Sequence, residues 1–170
     1  MTKITHSPFS ISRIRRNHAL EHATMNILAA KKQRPFLLGY SDFNGFWILG
    51  HLDTEELQEA LEEALGRLRA GDVSLAISPN CGTNYAVWGI LAGLAAWLVM
   101  LTSPSGWRRK LERLPLVASV ITLVLIFTRP LGPLVQTRLT TQPSLGNLKV
   151  AGINIYERNG VPVHRVLTRD

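Results

Sequence analysis

The stretch NYAVWGILAGLAAWLVMLT, residues 84–102, decides how the chain is organised. From Tyr85 onward it contains no charged side chain over 18 residues, close to the shortest length that crosses a bilayer core of about 30 Å. Together with Tyr85, Trp88 and Trp97 supply the aromatic residues that concentrate at membrane interfaces. These features predict a transmembrane helix over residues 85–102, and the alternative is a buried helix of a soluble protein.

A second apolar run, LPLVASVITLVLIFT, continues through RPLGPLV, so that it covers residues 114–135. The short separation favours a helical hairpin in which transmembrane helices 85–102 and 114–135 are joined by a loop over residues 103–113. Gly89 and Gly93 form a small-xxx-small pair that lets a second helix approach closely. We therefore expect the transmembrane helices to support formation of a homo-oligomer.

Basic charge is concentrated beside the apolar segments. Residues 1–84 hold nine Lys or Arg and nine Asp or Glu, so the net charge of +7 comes from residues 103–113 and 129–170. Basic residues that flank apolar segments are typical of membrane proteins. A nucleic-acid-binding surface would need basic residues clustered on one folded face with aromatic residues, and the charge-balanced N-terminal half offers none. The composition therefore indicates a lipid bilayer as partner and excludes nucleic acid.

The N-terminal half shows the pattern of a small α/β domain. Residues 10–31 have apolar residues spaced by three and four, which predicts a helix. FLLGYSDFNGFWILGHL, residues 36–52, predicts two short strands joined at Asn44-Gly45, a common hairpin turn. DTEELQEALEEALGRLRAG, residues 53–71, predicts an amphipathic helix with a buried stripe. The residues of that stripe are Leu57, Leu61, Ala64, Leu65 and Leu68.

The alternation in VSLAIS, residues 73–78, predicts a half-buried strand after this helix. Strand, helix and strand then form a split βαβ-like unit. Near the C-terminus, LKVAGINIY and VPVHRVL predict two further strands around the turn Asn159-Gly160. The predicted fold class is an α+β membrane protein. An N-terminal α/β domain (1–84) and a C-terminal β-hairpin (136–170) complete one sheet, with the transmembrane hairpin (85–135) inserted between them.

The stretch RRNHALEHATMNIL, residues 15–28, carries two imidazoles and a carboxylate within five residues. On a helix, positions i, i+3 and i+4 share a face, so His18, Glu21 and His22 point together. Two imidazoles one turn apart can share a tetrahedral zinc ion, and the carboxylate can take a proton from water that zinc makes acidic. The order His-x-x-Glu-His is that of inverzincins, and the alternative is a surface helix with a Glu–His hydrogen bond. The motif predicts His18 and His22 as ligands of about one zinc per chain, with Glu21 as the catalytic general base.

A second group of polar residues, SPNCGTNYAVWGIL, opens the first predicted membrane helix at residues 78–91. It surrounds Cys81, the only cysteine, which excludes an internal disulfide and a four-cysteine zinc site. Thr83 or Asn84 is expected to cap the incoming helix. A lone cysteine is usually a small buried residue. In this polar setting, its thiolate is a candidate third zinc ligand or a nucleophile served by His22.

The segments RNHALEHATMN, SDFNGFW and SPNCGTN together resemble an uncharacterised bacterial membrane family of unknown function, over roughly residues 13–157. The two polar motifs also resemble, more distantly, bacterial membrane proteins described as metal-dependent enzymes. Those proteins carry His-x-x-Glu-His and then His-Pro-Arg-Cys-Gly-Thr before a membrane helix. The resemblance implies that one site contains His18, Glu21, His22 and Cys81. Ser78 stands where the distant relatives have His, and no established reaction accompanies either resemblance.

Two other sources of a third ligand are His51, which follows a predicted strand, and the acidic residues of the 53–69 helix, because inverzincins use a distal glutamate. These acidic residues more simply form a solvated face; they are Glu55, Glu56, Glu59, Glu62 and Glu63. The leading functional hypothesis is zinc-dependent hydrolysis of a peptide or a lipid-linked substrate. One alternative is a non-catalytic membrane protein whose motif holds structural zinc or ties the helix to the sheet. Another is a thiol enzyme that uses Cys81 and His22 without metal.

The expected location is the bacterial inner (plasma) membrane. Basic residues near the two ends of the hairpin are balanced, so charge alone does not orient it. The N-terminus lacks the apolar segment of a signal peptide, and a free cysteine beside a metal is protected in a reducing compartment. We therefore expect both soluble parts to face the cytoplasm and residues 103–113 to lie outside.

Overall fold

The computed structural model describes residues 8–31, 37–102 and 106–170, with side chains described from residue 11 onward. The chain divides into two units. The first combines Met1–Ser78 with Thr137–Asp170 and carries the sheet, and the second, Pro79–Gln136, is helical. A helical segment thus separates the two parts of the sheet unit along the sequence.

Two helices and one face of the sheet form the core of the first unit. Helix α1 spans Pro8–Lys31 and helix α2 spans Thr54–Arg69, close to the predicted bounds. The predicted stripe of α2 is buried except for Leu65, which is half-buried. Burying one such Leu side chain is worth about 1.5–3 kcal/mol, so each buried Leu of the stripe stabilises the unit by about this amount. The core residues of α1 are Ala19, Leu20, Ala23, Ile27 and Leu28.

The sheet consists of two antiparallel hairpins in the strand order β1-β2-β4-β3. The strands are β1 (Leu38–Asp42), β2 (Gly45–Leu49), β3 (Lys149–Arg158) and β4 (Val161–Arg169). Strand β4 pairs with β2, for example Val166 with Phe46, so the prediction that the C-terminal strands complete the N-terminal sheet is confirmed. Asn159 and Gly160 have φ angles of 53° and 76°, the left-handed conformations that a tight two-residue hairpin turn requires.

The strand predicted over residues 73–78 is wrong, because Val73–Ala76 form a single 3₁₀-helical turn. Side chains of α1 donate hydrogen bonds to the backbone carbonyl groups of this segment. Asn26 Nδ2 donates to the carbonyls of Leu75 and Ile77 at 3.0 and 2.9 Å. A strand would present those carbonyls to a neighbouring strand instead. The split βαβ-like arrangement is therefore also wrong, and the sheet of the described residues is antiparallel throughout.

The second unit is built from helices, namely α3 (Gly82–Leu101), α4 (Trp107–Glu112), α5 (Leu114–Thr128) and α6 (Leu131–Val135). Within the described residues, two segments are long and apolar enough to cross a membrane, Gly82–Leu101 and Trp107–Thr128. Indole nitrogen Nε1 of Trp88 donates to the Thr128 carbonyl at 3.3 Å and joins α3 to α5. Residues 107–112 of the predicted loop are helical, and residues 103–105 lie outside the described residues.

The helix predicted over residues 114–135 is interrupted between α5 and α6. Pro130 has no N–H to donate to the carbonyl four residues earlier, so the regular helix cannot pass through it. Asn84, at the start of α3, packs against α6: a Cβ added to Gly132 would lie 2.8 Å from Asn84 Cγ. Gln136 Nε2 donates to Asn84 Oδ1 at 2.6 Å, and Asn84 Nδ2 donates to the Pro79 carbonyl at 2.8 Å. Asn84 is therefore a structural residue of this unit.

Asp42, the last residue of β1, ties this edge strand to β4. Arg165 Nη2 donates to Asp42 Oδ1 at 2.7 Å, and the guanidinium of Arg165 stacks on the Trp47 ring at 4.7 Å. Partial burial opposes ionisation of Asp42. Hydrogen bonds from Arg165 and from the Asn44 backbone outweigh it, so the pKa of Asp42 lies below its usual value.

We expect Asp42→Asn to lower the free energy of unfolding by about 1 kcal/mol at neutral pH. A carboxyl group whose pKa is lower in the folded state stabilises the fold above its unfolded pKa of about 3.9, and that contribution is lost as the pH falls through the folded value. The difference from wild type should therefore shrink as the pH is lowered from about 5 toward about 2, as measured by thermal unfolding. Glu59→Gln, at an exposed position of α2, is the control and should leave the free energy of unfolding close to wild type throughout this pH range. A difference that does not change with pH would contradict this account.

Candidate metal centre

The predicted pair of histidines lies on one face of α1. His18 and His22 are one helical turn apart, and their potential ligand nitrogens lie within 4.8 Å of each other. Their ring centroids are 4.2 Å apart with the ring planes at 60°. His22 is buried and His18 is half-buried. Two imidazole nitrogens at this separation need only small side-chain rotations to reach one ion with nitrogen–metal distances of about 2.0–2.1 Å.

Hydrogen bonds to backbone carbonyl groups fix the tautomer of both rings. His18 Nδ1 lies 3.0 Å from the Thr140 carbonyl oxygen, and His22 Nδ1 lies 2.8 Å from the Ala76 carbonyl oxygen. Since a carbonyl can only accept, Nδ1 donates in both cases and the neutral ring carries its lone pair on Nε2. Metal-ligating histidines usually have this arrangement, in which one nitrogen donates to a carbonyl and the other binds the metal.

Other side chains of α1 hold the backbone on either side of the carbonyl groups that orient the histidines. Arg15 Nη2 donates to the carbonyls of Arg138 and Thr141, each at 3.1 Å, on either side of Thr140. Thr140 ends a π-helical turn, Gln136–Thr140, in which regular α-helical bonding is interrupted. Asn26 holds the 3₁₀-helical turn that contains Ala76 in the same way. Arg15 and Asn26 thus fix the backbone acceptors around the histidines.

Glu21 points toward the edge strand β1 and is only 5% exposed. Ser41 Oγ donates to Glu21 Oε2 at 2.5 Å. Gly39 leaves room for the same carboxylate, because a Cβ at this position would lie 2.6 Å from Glu21 Cδ. Burial raises the pKa of Glu21, while the hydrogen bond from Ser41 and the electrostatic interaction with His18 act in the opposite direction. A carboxyl group with a raised pKa beside two imidazoles is suited to accept and release a proton.

Cys81 lies in the second unit, where it forms the N-cap of α3. Its Sγ accepts a hydrogen bond from the Thr83 backbone N–H at 3.4 Å. The expectation that Thr83 or Asn84 caps this helix is therefore wrong. The N-terminus of a helix favours the thiolate form of a cysteine, which is the form that binds metals. That Cys81 supplies the third metal ligand stays a prediction.

Among the described residues, the two alternative sources of a third ligand, His51 and the acidic residues of α2, do not belong to the group of candidate ligands around the histidine pair. The acidic side chains of α2 behave as a surface face: Glu55, Glu59 and Glu62 are exposed, and Glu63 pairs with Lys31 at 3.1 Å.

Sequence reasoning missed Ser41 and Gly39 as neighbours of Glu21. Ser41 stands next to Asp42, whose Oδ1 accepts from the backbone N–H of Asn44 in the predicted turn at 2.8 Å. Ser41 instead faces α1. The available signal was strand alternation, because Gly39 and Ser41 share the face of β1 opposite to Tyr40.

The fold described here is that of an α+β protein with two helical segments long and apolar enough to cross a membrane. The family model Domain of unknown function (DUF6391) matches residues 13–153, a range that contains both polar motifs, and the chain belongs to this family. It is 40% identical over 99 residues to an uncharacterised protein of Picosynechococcus sp., and that match covers 51% of this chain. The chain spans about half of that relative, 48% of its length. No solved structure matches the chain.

Proposed function

We propose that the protein is a zinc-dependent hydrolase of a bacterial membrane. In this proposal His18 and His22 bind the zinc through Nε2, Cys81 supplies a third protein ligand, and Glu21 is the general base. The observation that carries the proposal is the pair of Nδ1–carbonyl hydrogen bonds at 3.0 and 2.8 Å. They make Nε2 the metal-binding atom of each ring and orient two adjacent imidazoles on one face of α1.

Zinc bound there supplies Lewis acidity that lowers the pKa of a water molecule to about 7. The donor set fits the metal, because imidazole and thiolate are the ligands that zinc prefers, and three protein ligands leave one position for water or substrate. Glu21 holds the proton that this chemistry releases. Ser41 keeps its carboxylate in place through the bond to Oε2.

Two features support Cys81 as the third ligand. Its place at the N-terminus of α3 favours a thiolate, and the resemblance of SPNCGTN to the cysteine motif of metal-dependent membrane proteins points to the same role. Cys81 also follows Ala76 by only five residues in the chain, and the Ala76 carbonyl is the partner of His22.

Metal content tests the proposal. We expect wild-type protein purified in detergent to contain about one zinc per chain. His18→Asn and His22→Asn should each bring the zinc content below about 0.1 per chain after dialysis, because two remaining ligands hold zinc weakly. His51→Asn is the matched control and should retain full zinc. Full occupancy in the His18→Asn, His22→Asn double variant would remove the metal hypothesis, and zinc loss in the control would make His51 a ligand.

A structural role for the motif is the second candidate. The contact of Glu21 with Ser41 and Gly39 of β1 favours this structural role, because it holds α1 against the sheet whether or not a reaction takes place there. The thiol-enzyme alternative needs no metal, so measured zinc separates it from both other candidates. Activity of a Glu21 variant separates catalysis from structural zinc.

We also propose that Gly82–Leu101 and Trp107–Thr128 span the bacterial inner membrane. Large apolar side chains on both segments are exposed, for example Trp97 at 58% and Phe127 at 76%, and a bilayer would cover this surface. The small pair Gly89 and Gly93 has no neighbour within 4 Å of an added Cβ, which supports helix–helix association of two copies.

We propose that the sheet unit faces the cytoplasm, where a reducing environment protects the Cys81 thiol. In a Cys81→Ser background, a cysteine introduced at Ser105 should react with a membrane-impermeant maleimide in intact cells. A cysteine introduced at Asn159, in the exposed turn between β3 and β4, should react only after the cells are opened. Labelling of the Asn159 cysteine but not of the Ser105 cysteine in intact cells would show that the sheet unit lies outside the cytoplasm.

A further inference from the structure

The edge strand β1 differs from the other edge of the sheet. Leu38, Gly39 and Tyr40 of β1 are exposed, and the strand carries no charge before Asp42. An edge strand presents a row of unpaired backbone N–H and C=O groups on which another strand can form. Within the described residues, β1 therefore offers an uncharged strand edge for pairing.

Strand β3, at the opposite edge, carries the features that prevent such pairing. It contains Lys149, Glu157 and Arg158, and its register is interrupted by an irregularity between Val150 and Gly152. Charged side chains and bulges are the usual means by which proteins block strand addition at an edge. The contrast singles out β1 as the edge where a strand is accepted.

The proposed general base lies against this same edge. Gly39 and Ser41 of β1 contact the Glu21 carboxylate from the side facing α1. Glu21 also shares one face of α1 with His18, which lies three residues earlier on the helix. Because adjacent strands lie about 4.8 Å apart, groups of an added strand that point toward α1 would lie on the same face of the sheet as Glu21.

We propose that β1 binds the substrate, and that the substrate is a peptide in extended conformation that pairs with this edge as an additional strand. This inference rests on the proposed hydrolase function and names its substrate class. In the hydrolysis, the oxygen of one water bonds to the peptide carbonyl carbon and the C–N bond breaks. Glu21 takes a proton from that water and delivers it to the leaving amine nitrogen. Leu38 and Tyr40, 51% and 65% exposed on the other face of β1, contact apolar side chains of the peptide.

Hydrogen exchange on the zinc-loaded Glu21→Gln protein in detergent tests this inference without turnover. The probe is a synthetic library of ten-residue peptides, and the control is the same library with N-methylated backbones. We expect amide exchange within Leu38–Asp42 to slow by about tenfold or more at alternate residues, because antiparallel pairing engages alternate residues. Exchange within Lys149–Arg158 should not change. The N-methylated library should give no protection, because its methyl groups keep the two backbones apart and its nitrogens cannot donate to the carbonyls of β1.

Two matched variants add a side-chain readout. Tyr40→Ala should weaken peptide binding about two- to fivefold, the size of one lost cross-strand contact, whereas Tyr156→Ala on β3 should not. Both tyrosines are exposed on the same face of the sheet, so either change leaves the core intact. Equal effects of the two variants would contradict binding at β1.

The outcomes separate this inference from the proposed function. Peptides that bind or are cleaved without protection of β1 would overturn the edge-strand site. Absence of peptide binding, with zinc bound and a lipid-linked ester hydrolysed by wild type, would overturn the substrate class and leave the hydrolase proposal standing. Protection of β1 in a protein that contains no zinc would support the binding surface and overturn the hydrolase.

Discussion

Replacing Glu21 with Gln is expected to lower the hydrolytic rate by about 10²–10⁴-fold, the usual contribution of a general base. Zinc content should stay at the wild-type value, because the ligands in this account are His18, His22 and Cys81. Gln has the shape of Glu and its amide oxygen can still accept from Ser41, so the fold should be preserved. Turnover of quenched fluorescent peptides and zinc content would be measured on the same preparation.

The control for Glu21→Gln is Glu59→Gln, the same change at an exposed position of α2. It should leave both the rate and the zinc content unchanged. A Glu21→Gln protein with zinc and wild-type activity would show that another group moves the proton. A Glu21→Gln protein that loses zinc would make Glu21 a ligand, or a residue that fixes the ligands, and would favour the structural role of the motif.

Replacing Gly39 with Ala should destabilise the protein and displace Glu21 together. The new Cβ would stand 2.6 Å from Glu21 Cδ, so the carboxylate or the strand must move. Overpacking of this kind costs about 1–3 kcal/mol. We expect the midpoint of thermal unfolding to fall by about 3–10 °C and hydrolysis to fall with it.

Gly152→Ala on β3 is the matched control for Gly39→Ala. It makes the same change in the same sheet, and a Cβ at Gly152 has no neighbouring atom within 4 Å. Its unfolding midpoint should stay within about 2 °C of wild type, since an added surface methyl changes little. Equal melting temperatures for the two variants would show that Glu21 does not occupy the space beside Gly39.

Elements with strong local signals were predicted correctly. The stripe of α2 and the turn Asn159-Gly160 are encoded within a few neighbouring residues, so periodicity and turn chemistry are sufficient. The conformation of residues 73–78 was not predicted correctly. Its apolar and polar residues alternate as in a strand, but its conformation depends on Asn26, about 50 positions earlier. Asn26 donates hydrogen bonds to two carbonyl groups of this segment, and no residue pattern within the segment predicts that contact.

The histidine pair was predictable for a similar reason, since the spacing of His18 and His22 places them together on any helix. Their orientation was not predictable. It depends on the carbonyl groups of Ala76 and Thr140. Every residue has a backbone carbonyl, so the residue type does not show which one accepts a hydrogen bond. The role of Ser41 was hidden because its contact with Glu21 depends on which face of β1 meets α1, a tertiary property.

The central claim is that His18, His22 and Cys81 bind one zinc ion. X-ray absorption at the zinc edge on purified, zinc-loaded protein tests it most directly, with Cys81→Ser as the matched sample. We expect two nitrogen ligands at about 2.0–2.1 Å and one sulfur ligand at about 2.3 Å in wild type, and loss of the sulfur signal in Cys81→Ser. A first shell of nitrogen and oxygen alone in wild type would contradict the proposed ligand set.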